Sequence, residues 1–264
     1  MRKMFIATTA ALATFAALPA LAPVKVQAAE FTPQQKKAIE QVVRQYLLNN
    51  PEILIEMSQK LEEKQARQQA EQARAALKAH GDLIFRNAND PVFGNPKGSI
   101  VVVEFSDYNC PYCRRALNDV KKLVEQHKDV KVVMKEFPIL GPGSDEAARI
   151  ALAAYRQNPK KYYELHKALL GFPGRVNGKV ALSIAEKLGY DVKKLEQEMN
   201  SDAVKNTTAL NLQLAQTLGI NGTPAFIIGN EIIRGAVGFD ALNAAVERAR
   251  KQQGQQPAES GNKK

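Results

Sequence analysis

The only two cysteines of the chain, Cys110 and Cys113, enclose Pro111 and Tyr112 and follow directly on an apolar run. That run, Ser99-Ile-Val-Val-Val-Glu-Phe105, is β-branched and reads as a buried strand. The cysteines open a helix of roughly residues 111–127, with Ala116, Leu117, Val120, Leu123 and Val124 on one side. Val130 to Phe137 is a second strand. Strand, helix and strand joined by short loops make a βαβ unit, whose strands are parallel. Any fold this chain adopts must place a dithiol at the start of the crossover helix.

Two thiols at that spacing close a small ring in the first helical turn. Cys110 then lies exposed beside free backbone N–H groups, where the positive end of the helix dipole stabilises a thiolate. Such a sulfur titrates at about 3.5–7.5 rather than about 8.5, which makes Cys110 the expected nucleophile. Cys113, one turn in and more buried, is the expected resolving thiol. Pro111 pre-sets the helical φ at the first position, and Tyr112 between the sulfurs adjusts the redox potential. Zinc asks for four ligands. The chain offers two cysteines, three scattered histidines (His80, His127 and His166) and no second Cys-x-x-Cys. A structural disulfide across so short a loop restrains the unfolded chain little. Two thiolates also suit a soft ion such as Cu(I), and that alternative stays open.

Two further elements bear on the dithiol. Gly222-Thr223-Pro224-Ala225 precedes a late apolar hairpin, and proline ahead of a buried strand is unusual. Beside a dithiol, a cis Thr223–Pro224 bond is expected, offering the Thr223 backbone to a substrate strand. Glu104 sits in the apolar strand six residues before Cys110. In a strand covered on both faces it is expected to be buried with a raised pKa, and it can exchange a proton with Cys113. Lys135 on the neighbouring strand is a weaker candidate partner and reads as a surface residue.

Residues 144–218 read as successive helices. Ala225-Phe-Ile-Ile228 and Glu231-Ile-Ile233 form two strands about Gly229-Asn230, and Phe239 to Lys251 is a closing helix. The order is βαβ, a helical block, then ββα. The expected fold class is α/β: a thioredoxin fold with an inserted helical domain, preceded by an N-terminal helical oligomerisation stalk.

At the start of the chain, Arg2 and Lys3 precede an uncharged apolar stretch from Phe5 to Leu21, and Val26-Gln27-Ala28 provides a cleavage site. Residues 1–28 are therefore expected to be a cleaved signal peptide, which implies an oxidising compartment. Thr32-Pro33-Gln34-Gln35 is a capping-box start to a helix bearing Ile39, Val42, Val43, Tyr46 and Leu47. Asn49-Asn50-Pro51 begins a second helix that runs to about Ala79, with Gly81 as its stop. The second half of that helix carries alternating charges and little large apolar surface, so it reads as a stalk. Self-association through residues 31–81 is the expected use of the apolar first half. The expected division is 29–81 for oligomerisation and stalk, 82–254 for the main domain with its insertion at about 144–218, and a disordered tail at 255–264.

The formal charge is +10, and loss of Arg2, Lys3 and Lys25 with the leader leaves +7. That charge is spread along the chain with no basic run among aromatics, so no nucleic-acid partner is expected.

Val-Val-Glu-Phe-Ser-Asp-Tyr-Asn-Cys-Pro-Tyr-Cys, Lys-Glu-Phe-Pro-Ile-Leu-Gly and Gly-Thr-Pro-Ala-Phe together resemble the DsbA-like family of exported disulfide oxidoreductases over roughly residues 85–251. The resemblance implies a thioredoxin fold, a redox-active dithiol at Cys110 and Cys113, Glu104 as the buried glutamate, and cis Pro224. Tyr112 and Thr223 look more like the dimeric isomerase class than the monomeric oxidase, which has His and Val there. The helices from about Phe31 to Gly81 resemble the oligomerisation segment of ScsC-type proteins, a group linked to copper tolerance. The implied activity is disulfide isomerisation in the periplasm, with dithiol oxidation or Cu(I) binding as alternatives. The implied partners are misoxidised or unfolded exported proteins, a membrane redox protein and further copies of the chain, as dimer or trimer. No cofactor is implied.

Overall fold

The computed structural model describes residues 31–255, so the expected signal peptide and nearly all of the expected tail lie outside the described residues. The chain divides into two compact units at Lys60–Leu61. In the first, α1 (Pro33–Asn49) starts from the capping box legible in the sequence. The Thr32 hydroxyl accepts from the Gln35 N–H (3.3 Å), and the Gln35 side chain accepts from the Thr32 N–H (2.9 Å). No residue of α1 is buried: Val42 is 69% exposed and Tyr46 60%. The first turns of α2 (Ile53–Ala79) likewise leave Leu54, Ile55 and Met57 open to water.

The second unit is built on a five-stranded sheet. Its strands are β1 (Val92–Gly94), β2 (Ile100–Ser106), β3 (Val130–Glu136), β4 (Ala225–Ile228) and β5 (Glu231–Arg234), in the spatial order β1-β3-β2-β4-β5. Only β2 and β3 pair in parallel, joined by α4 (Pro111–Gln126). Side chains alternate across a strand, and here the alternation separates two cores. Val102, Met134, Phe226 and Ile228 join one core with Val120 and Leu123 of α4. Val103, Phe105, Val133 and Ile227 join the other. Burial of both faces explains why β2 and β3 read as unbroken apolar runs. Each buried Val, Leu, Ile or Phe contributes about 1.5–3 kcal/mol.

Between β3 and β4 lie α5 (Pro142–Gln157), a 3-10 turn at Pro159–Lys161, α6 (Tyr162–Gly171), α7 (Gly178–Lys187), α8 (Val192–Glu198) and α9 (Asp202–Thr217). Helices α5 to α8 pack into the first core, with α10 (Phe239–Gln255) beside α4, and α9 covers the opposite face.

Three local features add to or correct the sequence expectation. α2 ends at Ala79, as expected, and after a turn at His80 the residue read as its stop, Gly81, opens the short α3 (Gly81–Phe85). Leu77, in the last turns of α2, is buried in one core with Ile84 of α3 and Leu214 of α9, so this end of the helix belongs to the second unit. Residues 86–98, rich in the turn formers Asn, Pro and Gly, contain the strand β1. Its Phe93 stacks on Tyr163 with ring centroids 4.2 Å apart, and Gly94 ends it at φ +80°, where a Cβ would lie 2.9 Å from the Val130 carbonyl oxygen. Lys135 is not a surface residue. It is wholly buried, donates to the Leu83 carbonyl (2.5 Å) and is ion-paired with Asp90. Register pairs Lys135 with Phe105 and Met134 with Glu104, so Lys135 and Glu104 lie on opposite faces of the sheet. Removing either member of the Lys135–Asp90 pair strands a buried charge, at a cost of about 3–5 kcal/mol.

Candidate functional site

Cys110 is the N-cap of α4, and Pro111 takes the first helical position. The Cys110 sulfur lies 3.2 Å from the Thr223 carbonyl oxygen, and the Thr223–Pro224 bond is cis. The residue is only 5% exposed. That is more sheltered than the exposed sulfur expected from a helix start, because the Thr223–Pro224 loop closes over it.

The two sulfurs sit in unlike environments. The Cys110 thiol is pushed down to about 5, first by a hydrogen bond from the Cys113 thiol, then by the Thr223 side chain and the N–H groups of Cys113 and Tyr112, against the cost of burial. The Cys113 thiol is pushed far up, first by burial, then by its donation to Cys110 and by the charge of Glu104. Cys110 is thus held as an anion and Cys113 as its proton-bearing donor. Tyr112 is 53% exposed, with the Arg115 guanidinium 5.2 Å from its ring centre. Pro111 is exposed and Pro224 buried.

Glu104 is 1% exposed on the same face of the sheet as Met134. Burial, then the neighbouring Glu136 carboxylate, pushes it up to about 8. Its Oε1 has no hydrogen-bond partner among the described residues.

Several residues that hold the site were not singled out by sequence reasoning. Asp107 accepts from four donors: the Asn109 N–H (2.8 Å), the Ser144 hydroxyl (2.7 Å), and the N–H groups of Ile139 (2.8 Å) and Leu140 (3.0 Å). The Asn109 side chain donates to Ser144 and to the Val176 carbonyl, both at 2.9 Å, and accepts from the Val176 N–H at 2.8 Å. These bonds pin the loop before Cys110 to the two loops beside it. Glu136 is a second buried carboxylate, accepting from Tyr108 (2.7 Å) and Tyr162 (2.8 Å). The signal for the loop residues was their position just before the dithiol, which in sequence is also the composition of an ordinary linker.

The three histidines do not converge. His166 lies within the tyrosine cluster around Glu136, its ring held neutral because burial pushes it down to about 3. His127 bonds Asn243 (2.6 Å) on α10. Among the described residues no group of three or more His, Cys, Asp or Glu side chains could hold a metal ion.

A mixed sheet, a dithiol at the N-terminus of the crossover helix and a cis-proline loop against the first sulfur define the class: thioredoxin-like dithiol proteins of the DsbA type. Residues 101–247 match the DSBA-like thioredoxin domain, and residues 35–68 match the copper resistance protein ScsC N-terminal domain. The chain belongs to the DSBA-like thioredoxin family and carries an ScsC-type N-terminal segment ahead of that domain.

Among solved structures, a thioredoxin-like oxidoreductase from Silicibacter pomeroyi is 47% identical, covering 64% of this chain and 97% of that one at a TM-score of 0.62. Proteus mirabilis ScsC in a transitional conformation is 33% identical, covering 84% of this chain and 100% of that one at a TM-score of 0.63. Disulfide bond formation protein D of Bacillus subtilis is 24% identical over 168 residues, 60% of this chain and 76% of that protein. Sodium–proton antiporters also match: the chain spans 28% of the length of NhaA 3 of Salinispora tropica, at 28% identity over 187 residues. No helix of the described residues is long and apolar enough to cross a membrane.

Proposed function

We propose that the protein is an exported thiol–disulfide oxidoreductase that works as a disulfide isomerase through Cys110 and Cys113. The observation that carries this reading is the unequal treatment of the two sulfurs, one stabilised as a thiolate at the start of α4 and the other buried as a thiol. The Cys110 thiolate attacks a substrate disulfide. A bond forms between Cys110 and one substrate sulfur, the substrate disulfide breaks, and its other sulfur leaves as a thiolate. A second substrate thiolate then attacks the mixed disulfide and frees Cys110, so the substrate is reshuffled with no net transfer of electrons. Alternatively Cys113 attacks Cys110, giving its proton to Glu104, and the substrate leaves reduced by two electrons.

Pro111, Tyr112, Thr223 and Pro224 form the surface that a substrate strand meets, with the Thr223 backbone available for pairing. Substrates are misoxidised or unfolded exported proteins, and a membrane redox protein keeps the pair reduced. No cofactor is required. Residues 31–81 join two or three copies. The exposed apolar side chains of α1 support this, since burying them against a second copy contributes about 25 cal/mol per Å². The leader pattern of residues 1–28 supports a periplasmic location.

The test is recovery of active ribonuclease from a scrambled preparation, with the mature chain and with the double variant Val43→Asp/Leu47→Asp. The mature chain is expected to restore activity. The double variant is expected to sediment as a monomer and lose most isomerase activity while still reducing a small disulfide. Equal isomerase activity in a monomeric variant removes the role of the stalk. A pair found mostly oxidised after acid trapping in cells favours the dithiol oxidase. The ScsC match and the adjacent thiols favour one second reading, Cu(I) capture, which requires stoichiometric Cu(I) binding without activity on scrambled ribonuclease.

A further inference from the structure

We propose that Glu136 is a positioning residue for the dithiol: it holds the negative charge of a buried carboxylate pair and so keeps the shared proton on Glu104, the group that serves Cys113. The inference rests on the reading of Glu104 as the proton acceptor of Cys113 and deepens it.

In the parallel register Ser106 pairs with Glu136 and Glu104 with Met134. Alternation then puts Glu104 and Glu136 on one face of the sheet, diagonally across neighbouring strands. Both are 1% exposed. Their surroundings are unequal. Glu136 Oε1 accepts from the Tyr108 and Tyr162 hydroxyls, and the Tyr108 hydroxyl is backed by His166 Nδ1 at 3.3 Å. Glu104 Oε1 has no partner among the described residues, and Ser106 alone favours the Glu104 charge by hydrogen bonding, against two tyrosines at Glu136.

Hydrogen bonds donated to a carboxylate favour its charged form, and two carboxylates in one dry site do not both ionise near neutral pH. As pH rises the first proton to leave is therefore the one on Glu136, and its charge then holds the remaining proton on Glu104. Burial pushes each carboxyl up to about 8, and the Glu136 charge is the next contribution at Glu104.

The other groups facing Glu136 leave this asymmetry in place. Both tyrosines are pushed well above their ordinary range and remain donors. Buried His166 is neutral. Asp107 and Asp90 oppose the Glu136 charge from nearby loops; the Lys135 partner offsets Asp90, while the two tyrosine donors act on Glu136 itself against Asp107. On α9, the Asn211 side chain donates to the Glu136 backbone carbonyl at 3.3 Å.

When Cys113 resolves a mixed disulfide, its S–H proton passes to a Glu104 carboxylate. The Cys110–Cys113 bond forms, the bond from Cys110 to substrate breaks, and the substrate sulfur leaves as a thiolate. With Glu104 held protonated, few molecules can accept that proton. The mixed disulfide then lives longer, and substrate thiols gain time to attack it, which favours reshuffling over release.

The test uses the full mature chain. Carbon NMR of labelled glutamate follows the Glu104 carboxyl in wild type, Glu136→Gln and Tyr162→Phe. Stopped-flow follows Cys113-driven release of glutathione from Cys110 across pH. In Glu136→Gln the Glu104 midpoint is expected to fall by about one pH unit or more, and release at a pH below it to speed up about tenfold. Tyr162→Phe, which weakens the hold on the Glu136 charge, is expected to move both in the same direction by less, and it carries the test if Glu136→Gln does not fold. An unchanged Glu104 midpoint in the folded variants overturns the role of Glu136 and leaves that of Glu104 standing. A release profile that is unaltered in Glu104→Gln overturns the role of Glu104, and with it this proposal.

Discussion

Replacing Cys113 by Ala tests the electrostatics of the dithiol directly. The leading contribution to the low pKa of Cys110 is the hydrogen bond from the Cys113 thiol. A hydrogen bond to a charged group contributes about 1.5–3 kcal/mol, and one pH unit corresponds to about 1.4 kcal/mol. Its loss should therefore raise the Cys110 midpoint from about 5 by ~1–2 units. The N–H groups of α4 and the Thr223 side chain remain, so the midpoint should stay below that of a free thiol. At pH ~6 the wild-type sulfur is about nine-tenths ionised, and in the variant that fraction falls to between about a tenth and a half. The assay is ultraviolet thiolate absorbance of the reduced protein against pH. The chain has only two cysteines, so in the variant the signal belongs to Cys110 alone. Absorbance is preferable to alkylation because the more basic thiolate is also the better nucleophile, which masks part of the loss. A midpoint in Cys113→Ala that stays at about 5 would refute the reasoning, as would a wild-type midpoint in the range of free cysteine.

Two more outcomes are expected from the buried charges. Glu104 titrates at about 8 in the fold against an ordinary 4.5, so between these values the native state binds more protons than the unfolded chain, and stability falls as pH rises. Glu104→Gln should flatten this fall, with a gain on the order of 3 kcal/mol at pH ~7; urea unfolding at pH ~5 and pH ~8 checks it, and equal pH slopes in both proteins count against it. Asp107→Ala leaves four donors without an acceptor. It should cost roughly 2–4 kcal/mol in urea unfolding and slow attack by Cys110, whereas a change confined to stability removes the link from loop bracing to the sulfur.

The elements legible in the sequence were those whose cause is local. β2 and β3 announce themselves because both faces are buried, which demands an unbroken apolar run. The Thr32 capping box and the helix start at Pro111 follow from the preferences of a few adjacent residues. The features that stayed hidden depend on distant partners. β1 is three residues long, sits among turn formers, and exists because β3 pairs with it and Phe93 stacks on Tyr163. Lys135 read as a surface residue because its partner Asp90 lies 45 positions away in that same turn-rich stretch. Glu136, near the end of an apolar strand, carries no local signal of burial. It is buried because α6 lays Tyr162 over it. For the candidate site, the sulfurs, Glu104 and the Thr223–Pro224 loop came from motif and spacing. The sheltering of Cys110 did not, since it is created by a loop more than a hundred residues away.

The position of the site follows from a single topological fact. β2 and β3 are parallel neighbours, so the chain leaving β2 must cross back through a helix before β3 can begin. The N-terminus of α4 is thereby fixed at the C-terminal end of β2, and its free N–H groups gather where the strand's last residues emerge. Asp107, Tyr108 and Asn109 occupy that short passage, and Glu136 ends the parallel neighbour on the same side. Thr223 aside, the groups that set the proton affinity of the two sulfurs are therefore clustered by the βαβ connection itself. Farther back on this face, Ile100, Val102, Val130 and Val132 belong to the apolar core. Glu104 stands at the border between those two regions: it is buried like the apolar core behind it, yet close enough to the polar end for the Glu136 charge to reach it.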